Sequence, residues 1–140
     1  MKAHRWVLFV LPLLWTVSAV FAQSKEGDVV VNIPFAFVVA TQHLKPGPYV
    51  IVPAADGIVR IFDPRSASTP FHVPVHSLVN GGKGGVRVVF HCYGQACFLA
   101  EVWSSGQSGK QFYPSKEERE IIARRSNDTR NEVAVLQPQQ

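Results

Sequence analysis

Cys92 and Cys97 are the residues with the sharpest chemical potential, and four residues, Tyr93-Gly94-Gln95-Ala96, lie between them. Glycine at the first central position of a two-residue loop suits a type II′ hairpin turn. Gly94-Gln95 in that role sets Tyr93 opposite Ala96 and Cys92 opposite Cys97. The pair closing such a loop is hydrogen-bonded, so the next pair out is the close, non-hydrogen-bonded kind. Its Cα atoms stand about 4.5 Å apart, within disulfide reach. A cross-strand disulfide is therefore the favoured reading. The alternatives are two free thiols, a metal pair or a redox-active pair, the last of which calls for C-x-x-C at a helix N-terminus.

The histidines point to less. His72 and His76 are four apart, a spacing that converges on a metal ion when it lies on a helix. Pro74 sits between them in a β-like run. On a strand, four residues span about 13 Å, so the two rings share a face but not an ion. His91 alternates away from Cys92, and Ser77 away from His76, because strand neighbours face opposite ways. Glu101 either faces solvent or is a buried acid with a shifted pKa. A hydrolase-type site would need folding to bring Glu101 to one of His72, His76 or His91. The glycine-rich stretch at 80–85 departs from both phosphate-binding orders, since Lys83 is followed by Gly84 and Arg87 occupies a required glycine position. Residues 106–110 miss a nucleophile elbow by their last residue. No catalytic, cofactor-binding or metal-ligating residue is expected. Asn127-Asp128-Thr129 is a formal glycosylation sequon, meaningful only in a eukaryotic secretory host.

These residues must be positioned by strands. Residues 28–39 are β-branched and aromatic, split by Pro34; 49–52, 58–62, 71–79, 86–93 and 96–103 read likewise. Lys45-Pro46-Gly47-Pro48, Asp56-Gly57 and Asp63-Pro64 mark the turns. Pro74 predicts an edge or bulge. The expected fold is mostly β, an antiparallel meander forming a β-sandwich or small barrel, with one short C-terminal helix. That helix, at about 116–125, opens on a capping box in which Ser115 accepts from the N3 amide and Glu118 reaches back. Its interleaved charges read as a solvated face, with Ile121 and Ile122 as a narrow apolar side. One last strand could run over residues 132–136, within a polar tail at 127–140.

The chain begins like an export signal. A basic start with Lys2 and Arg5 precedes an apolar run over residues 6–15, and Val20-Phe21-Ala22 suits a signal peptidase. Cleavage between Ala22 and Gln23 is expected, by a Sec-type route, because no Arg-Arg pair is present and Gln23 is not a lipidated Cys. No transmembrane span then remains, and one β-rich domain over 23–126 is left, in the periplasm or outside the cell, where disulfides persist. The chain is 46% hydrophobic and 17% charged, which is globular composition. Losing Lys2 and Arg5 leaves 12 basic and 10 acidic residues. So small an excess does not make a nucleic-acid footprint.

Val31 to Val39, read VNIPFAFVV, then Leu44-Lys45-Pro46-Gly47-Pro48-Tyr49, resemble the opening of a family of small exported bacterial proteins of unknown function. Phe90-His91, Tyr93-Gly94, the run from Phe98 to Trp103 and the charged run from Lys116 to Glu120 are similar to its later signature. The resemblance covers nearly all of the mature chain. It implies no activity, cofactor or catalytic residue, and it implies that Cys92 and Cys97 are an embellishment of this member. With no motif surviving the spacing tests, the expected function is that of a non-enzymatic exported module binding an unidentified protein or envelope component. The alternative is a small-ligand carrier with an apolar barrel cavity.

Overall fold

The computed structural model describes residues 27–54, 57–79, 84–124 and 130–136. The signal segment with its Ala22–Gln23 junction, Asp56, most of the glycine-rich connector, the sequon, Arg125 and residues 137–140 lie outside them. In chain order the elements are β1 (Val29–Ile33), β2 (Phe37–Val39), β3 (Gln42–Leu44), β4 (Gly47–Pro53), β5 (Ile58–Phe62), β6 (Phe71–Val79), β7 (Arg87–Tyr93), β8 (Ala96–Trp103), β9 (Ser108–Phe112), α1 (Lys116–Arg124) and β10 (Asn131–Leu136). The protein is mostly β, with a single short helix near its C-terminus.

Alternation decides which side of each strand is buried. In β1, Val29, Val31 and Ile33 are buried while Val30 and Asn32 are exposed. Pro34 follows, and with no N–H to give the ladder it ends the strand. The chain restarts as β2, so the single long strand region of the sequence becomes two strands with different partners. β1 pairs with β4, and β2 pairs with β3 and touches β8 in parallel at Val38 and Phe98.

The sheet is open and antiparallel-dominated, running β1-β4-β5-β6-β9-β8, with β7 and then β10 on the other edge of β8. β4-β5-β6 and β7-β8-β9 are the two meanders. They join because the second half of β6 pairs with β9. The sheet folds over so that Val31, Ile51, Ile61, Val88, Phe90 and Val102, from both meanders, share one core. β10 comes alongside β1 without pairing with it among the described residues, so the sheet stays open. Phe35 and Phe37 meet Phe90 edge-on at centroid distances of 5.0 and 5.4 Å, a favoured aromatic geometry. β10 lies in the expected tail, and its pairing with β7 carries the sheet past residue 126.

Pro74 shows how a proline fits into a strand with partners on both sides. The Val75 N–H donates to the Gly57 carbonyl on the β5 side. Donors alternate sides along a strand, so the N–H that Pro74 lacks would point away from β5. On that side the β9 ladder begins only at Val75. The edge expectation therefore holds locally. β9 was not expected, since Ser108-Gly109-Lys110-Gln111-Phe112 has weak strand propensity. It forms because open edges of β6 and β8 flank it. Gly109 is buried there, and a β-carbon on it would lie 2.6 Å from the Trp103 ring, which covers the bare backbone.

Candidate functional site

Cys92 and Cys97 are register partners, 4.1 Å apart at Cα, and form a disulfide. Tyr93 pairs with Ala96, and Gly94 has φ of 63° while Gln95 does not enter positive φ. That combination marks a type II′ turn, as the sequence predicts. Cys92 packs into the core, and His91, one residue earlier, faces the opposite side toward the helix.

Glu101 stays away from the histidines, and a β-bulge on β8 is the reason. Val89 pairs with Glu101 but Phe90 pairs with Leu99, so Ala100 is the extra residue. Were Ala100 paired as a regular strand residue, alternation from Cys97 and Leu99 would send Glu101 into the core. The bulge shifts the phase, so Val102 enters the core instead. Glu101 lies on the outer face, where it accepts a 2.7 Å hydrogen bond from Trp103 Nε1. The Arg87 guanidinium lies over the same ring, 4.6 Å from its centroid.

The acid that meets one of the three candidate histidines is Glu118. It is 4% exposed, on α1, and its Oε1 lies 3.3 Å from His91 Nδ1 and accepts from the Tyr93 hydroxyl at 3.2 Å. A carboxylate can only accept, which puts the proton of that contact on His91 Nδ1. Half of the expected capping box is present, since the Glu118 amide donates to Ser115 Oγ at 3.0 Å. The other half is corrected: the Glu118 carboxylate turns down to the sheet instead of back to the cap. Burial, first, and the adjacent Glu118 carboxylate hold the Tyr93 hydroxyl above the ordinary tyrosine range. Val38, Tyr93 and Phe98 with Ile121 form a small second core under the helix. Lys116, Glu117, Arg119 and Glu120 form the exposed, charged side. The available signal was spacing, because Glu118 is three residues before Ile121 and so shares its face.

Beside this cluster is a cleft of about 260 Å³ reaching His76, His91, Gln111 and Tyr113. The His76 ring packs against Tyr113 at 4.2 Å between centroids with the planes tilted by 52°, and its Nδ1 lies 3.3 Å from the hydroxyl. His72 and His76 are both exposed on β6, on one face as expected, and His72 is the register partner of Arg60. Among the described residues no group of three or more His, Cys, Asp or Glu side chains is arranged to hold a metal ion.

A larger recess of about 510 Å³ opens at one end of the core. Its floor is Leu44, Tyr49, Ile61 and Phe71. Its rim comes from β3, the turn into β4 and the loop after β5. Both lips are braced. The Tyr49 hydroxyl donates to the Lys45 carbonyl at 2.8 Å, and burial, with Asp63 second, raises its pKa above the ordinary range. Across the recess, Asp63 accepts from the Arg65 amide at 2.8 Å and from its guanidinium at 3.0 and 3.2 Å. The guanidinium bonds hold the Asp63 carboxyl below its usual pKa. The Ser68 amide donates to Ser66 Oγ at 3.1 Å. Composition flagged these loops only as turns, because residues 42–45 and 61–71 converge solely through the sheet.

No helix among the described residues is long and apolar enough to cross a membrane. Comparison with protein-family models, with curated proteins and with solved structures finds no match.

Proposed function

We propose that this chain is an exported, non-enzymatic β-domain that acts by binding, as a module associated with an envelope component. The observation that carries this reading is the contrast between its two polar sites. Glu118 uses Oε1 to hold Tyr93 and His91, and these contacts fasten α1 to the sheet. The recess at the end of the core is different: its braced lips present exposed polar side chains, including Gln42, Lys45 and Thr69, to solvent. Preformed lips with outward polar groups favour binding, because little ordering is required when a ligand arrives. The Cys92–Cys97 disulfide suits an oxidising compartment. The apolar run over residues 6–15 and the Val20-Phe21-Ala22 pattern after it support export.

The test is to isolate the protein from its host under mild conditions, fractionate the envelope and record an intact native mass spectrum. The expected mass begins at Gln23, carries the deficit of one disulfide and includes no tightly held small molecule, while the protein distributes with the envelope. A retained metal or small-molecule mass would replace this reading with a metalloprotein or carrier.

A catalytic reading has one observation in its favour, the His91–Glu118 contact beside a cleft. Among the described residues, His91 is in hydrogen-bond contact with the Glu118 carboxylate and with no nucleophile.

A further inference from the structure

We propose that the recess at the end of the core is a saccharide-binding site, an inference that rests on the binding reading above. The argument begins with charge. The rim carboxylate Asp63 is matched by the Arg65 guanidinium, and His43 is matched by Glu117 at 3.2 Å. Lys45 is then the one rim cation whose side chain has no partner among the described residues. Such a rim offers no strong field to a highly charged ligand. It offers hydroxyls and an amide instead, from Ser66, Ser68, Thr69 and Gln42, all exposed.

The floor supplies the second half. Leu44 and Phe71 are half-buried, and with the buried Tyr49 and Ile61 they leave an apolar surface beneath the polar rim. A pyranose ring has the matching form, with C–H faces that lie on apolar or aromatic carbon and an edge of hydroxyls that donate and accept. Apolar surroundings with a few fixed polar groups are the usual make-up of a small-ligand site, and the mouth of a folded-over sheet is a common place for one. The volume of about 510 Å³ lies within the range of such sites. The Tyr49–Lys45 and Asp63–Arg65 bonds fix the two lips before any ligand arrives.

The ligand could be a free oligosaccharide or part of a wall polymer, and the test separates these sources. The oxidised mature chain, nitrogen-labelled, is titrated with cellobiose and N,N′-diacetylchitobiose into the millimolar range. In parallel it is sedimented with insoluble peptidoglycan sacculi. The expected result is saturable amide shifts confined to residues 42–49 and 61–71. The Q42A/T69A double variant, with a spectrum otherwise overlaying the parent's, is expected to bind about tenfold more weakly. Sedimentation that the double variant abolishes assigns the polymer as the source; disaccharide shifts without sedimentation assign a free sugar. Shifts centred on His76, His91 and Glu118 overturn the proposal. So does the absence of both saturable shifts and sedimentation, or sedimentation that survives in Q42A/T69A with no disaccharide response. If the protein still distributes with the envelope in that case, only the saccharide assignment falls. If it does not, the binding reading falls with it.

Discussion

Ala40 shows how one residue can carry strain that its surroundings hold in place. It occupies the first position of the two-residue loop between β2 and β3, with φ of 53°. A β-carbon in the left-handed region costs roughly 1–2 kcal/mol. Replacement by glycine relieves that but adds about 0.4–1 kcal/mol of unfolded-state entropy. Ala40→Gly should therefore stabilise the protein by about 0.5 kcal/mol, visible as a raised urea midpoint with an unchanged slope. Glu118 is the opposite case, a residue whose removal leaves buried partners behind. Glu118→Ala deprives Tyr93 and His91 of their shared acceptor, and about 2–3 kcal/mol of stability should be lost. A double-mutant cycle with Tyr93→Phe should return a coupling of about 1 kcal/mol if the hydroxyl bond contributes as its geometry indicates.

At the scale of the element, the decisive device is the bulge at Ala100. One extra residue keeps Glu101 out of the core and puts Val102 into it. Pairing Ala100 regularly instead would bury Glu101, and burying an unpaired carboxylate is among the few changes that exceed about 4 kcal/mol. Deleting Ala100 makes Glu101 the direct neighbour of Leu99, and regular alternation then still points Glu101 outward and Val102 into the core. The deletion should therefore keep a cooperative thermal transition by circular dichroism, as should Ala100→Gly, which should shift the midpoint only slightly. A deletion that abolished the transition would mean the phase of β8 is set elsewhere. The helix is held in a comparable way. Its outer face follows from charge pattern alone, but Glu118 and Ile121 place it on β7 and β8 only because His91, Tyr93 and Phe98 present a matching surface.

Across the whole molecule, the alkaline limit of stability should come from two tyrosines on opposite sides of the sheet. Tyr49 and Tyr93 both have pKa values raised in the folded state, chiefly by burial. Their unfolded values are about 10. A raised folded pKa means that the folded form holds its proton longer than the unfolded chain does. The associated stability is fully present below about pH 10 and is lost as pH rises from there through the folded values. Unfolding free energies from denaturant titrations should thus fall above about pH 10. The Tyr49→Phe/Tyr93→Phe variant should show a shallower decline; an equally steep one would assign the alkaline limit to other groups.

Much of this protein was determined by short-range sequence, and the reasons are local. Alternating Val and Ile make β1, Pro34 ends it, and Gly94-Gln95 sets the hairpin register that brings Cys92 to Cys97. These follow from steric and hydrogen-bonding rules that act within a few residues. Tertiary structure alone decided the rest. β9 is a strand because flanking edges of β6 and β8 take it up, not because its residues favour extension. Glu118 became the partner of His91, in place of Glu101, because a bulge turned one acid outward and helix docking turned the other inward. The recess at the end of the core joins two lips about twenty residues apart in sequence, brought together by the pairing of β4 with β5. Residue pattern fixes which way a side chain points along its own strand. Which strands become neighbours depends on how the chain buries all of its apolar faces at once, and a linear reading does not contain that.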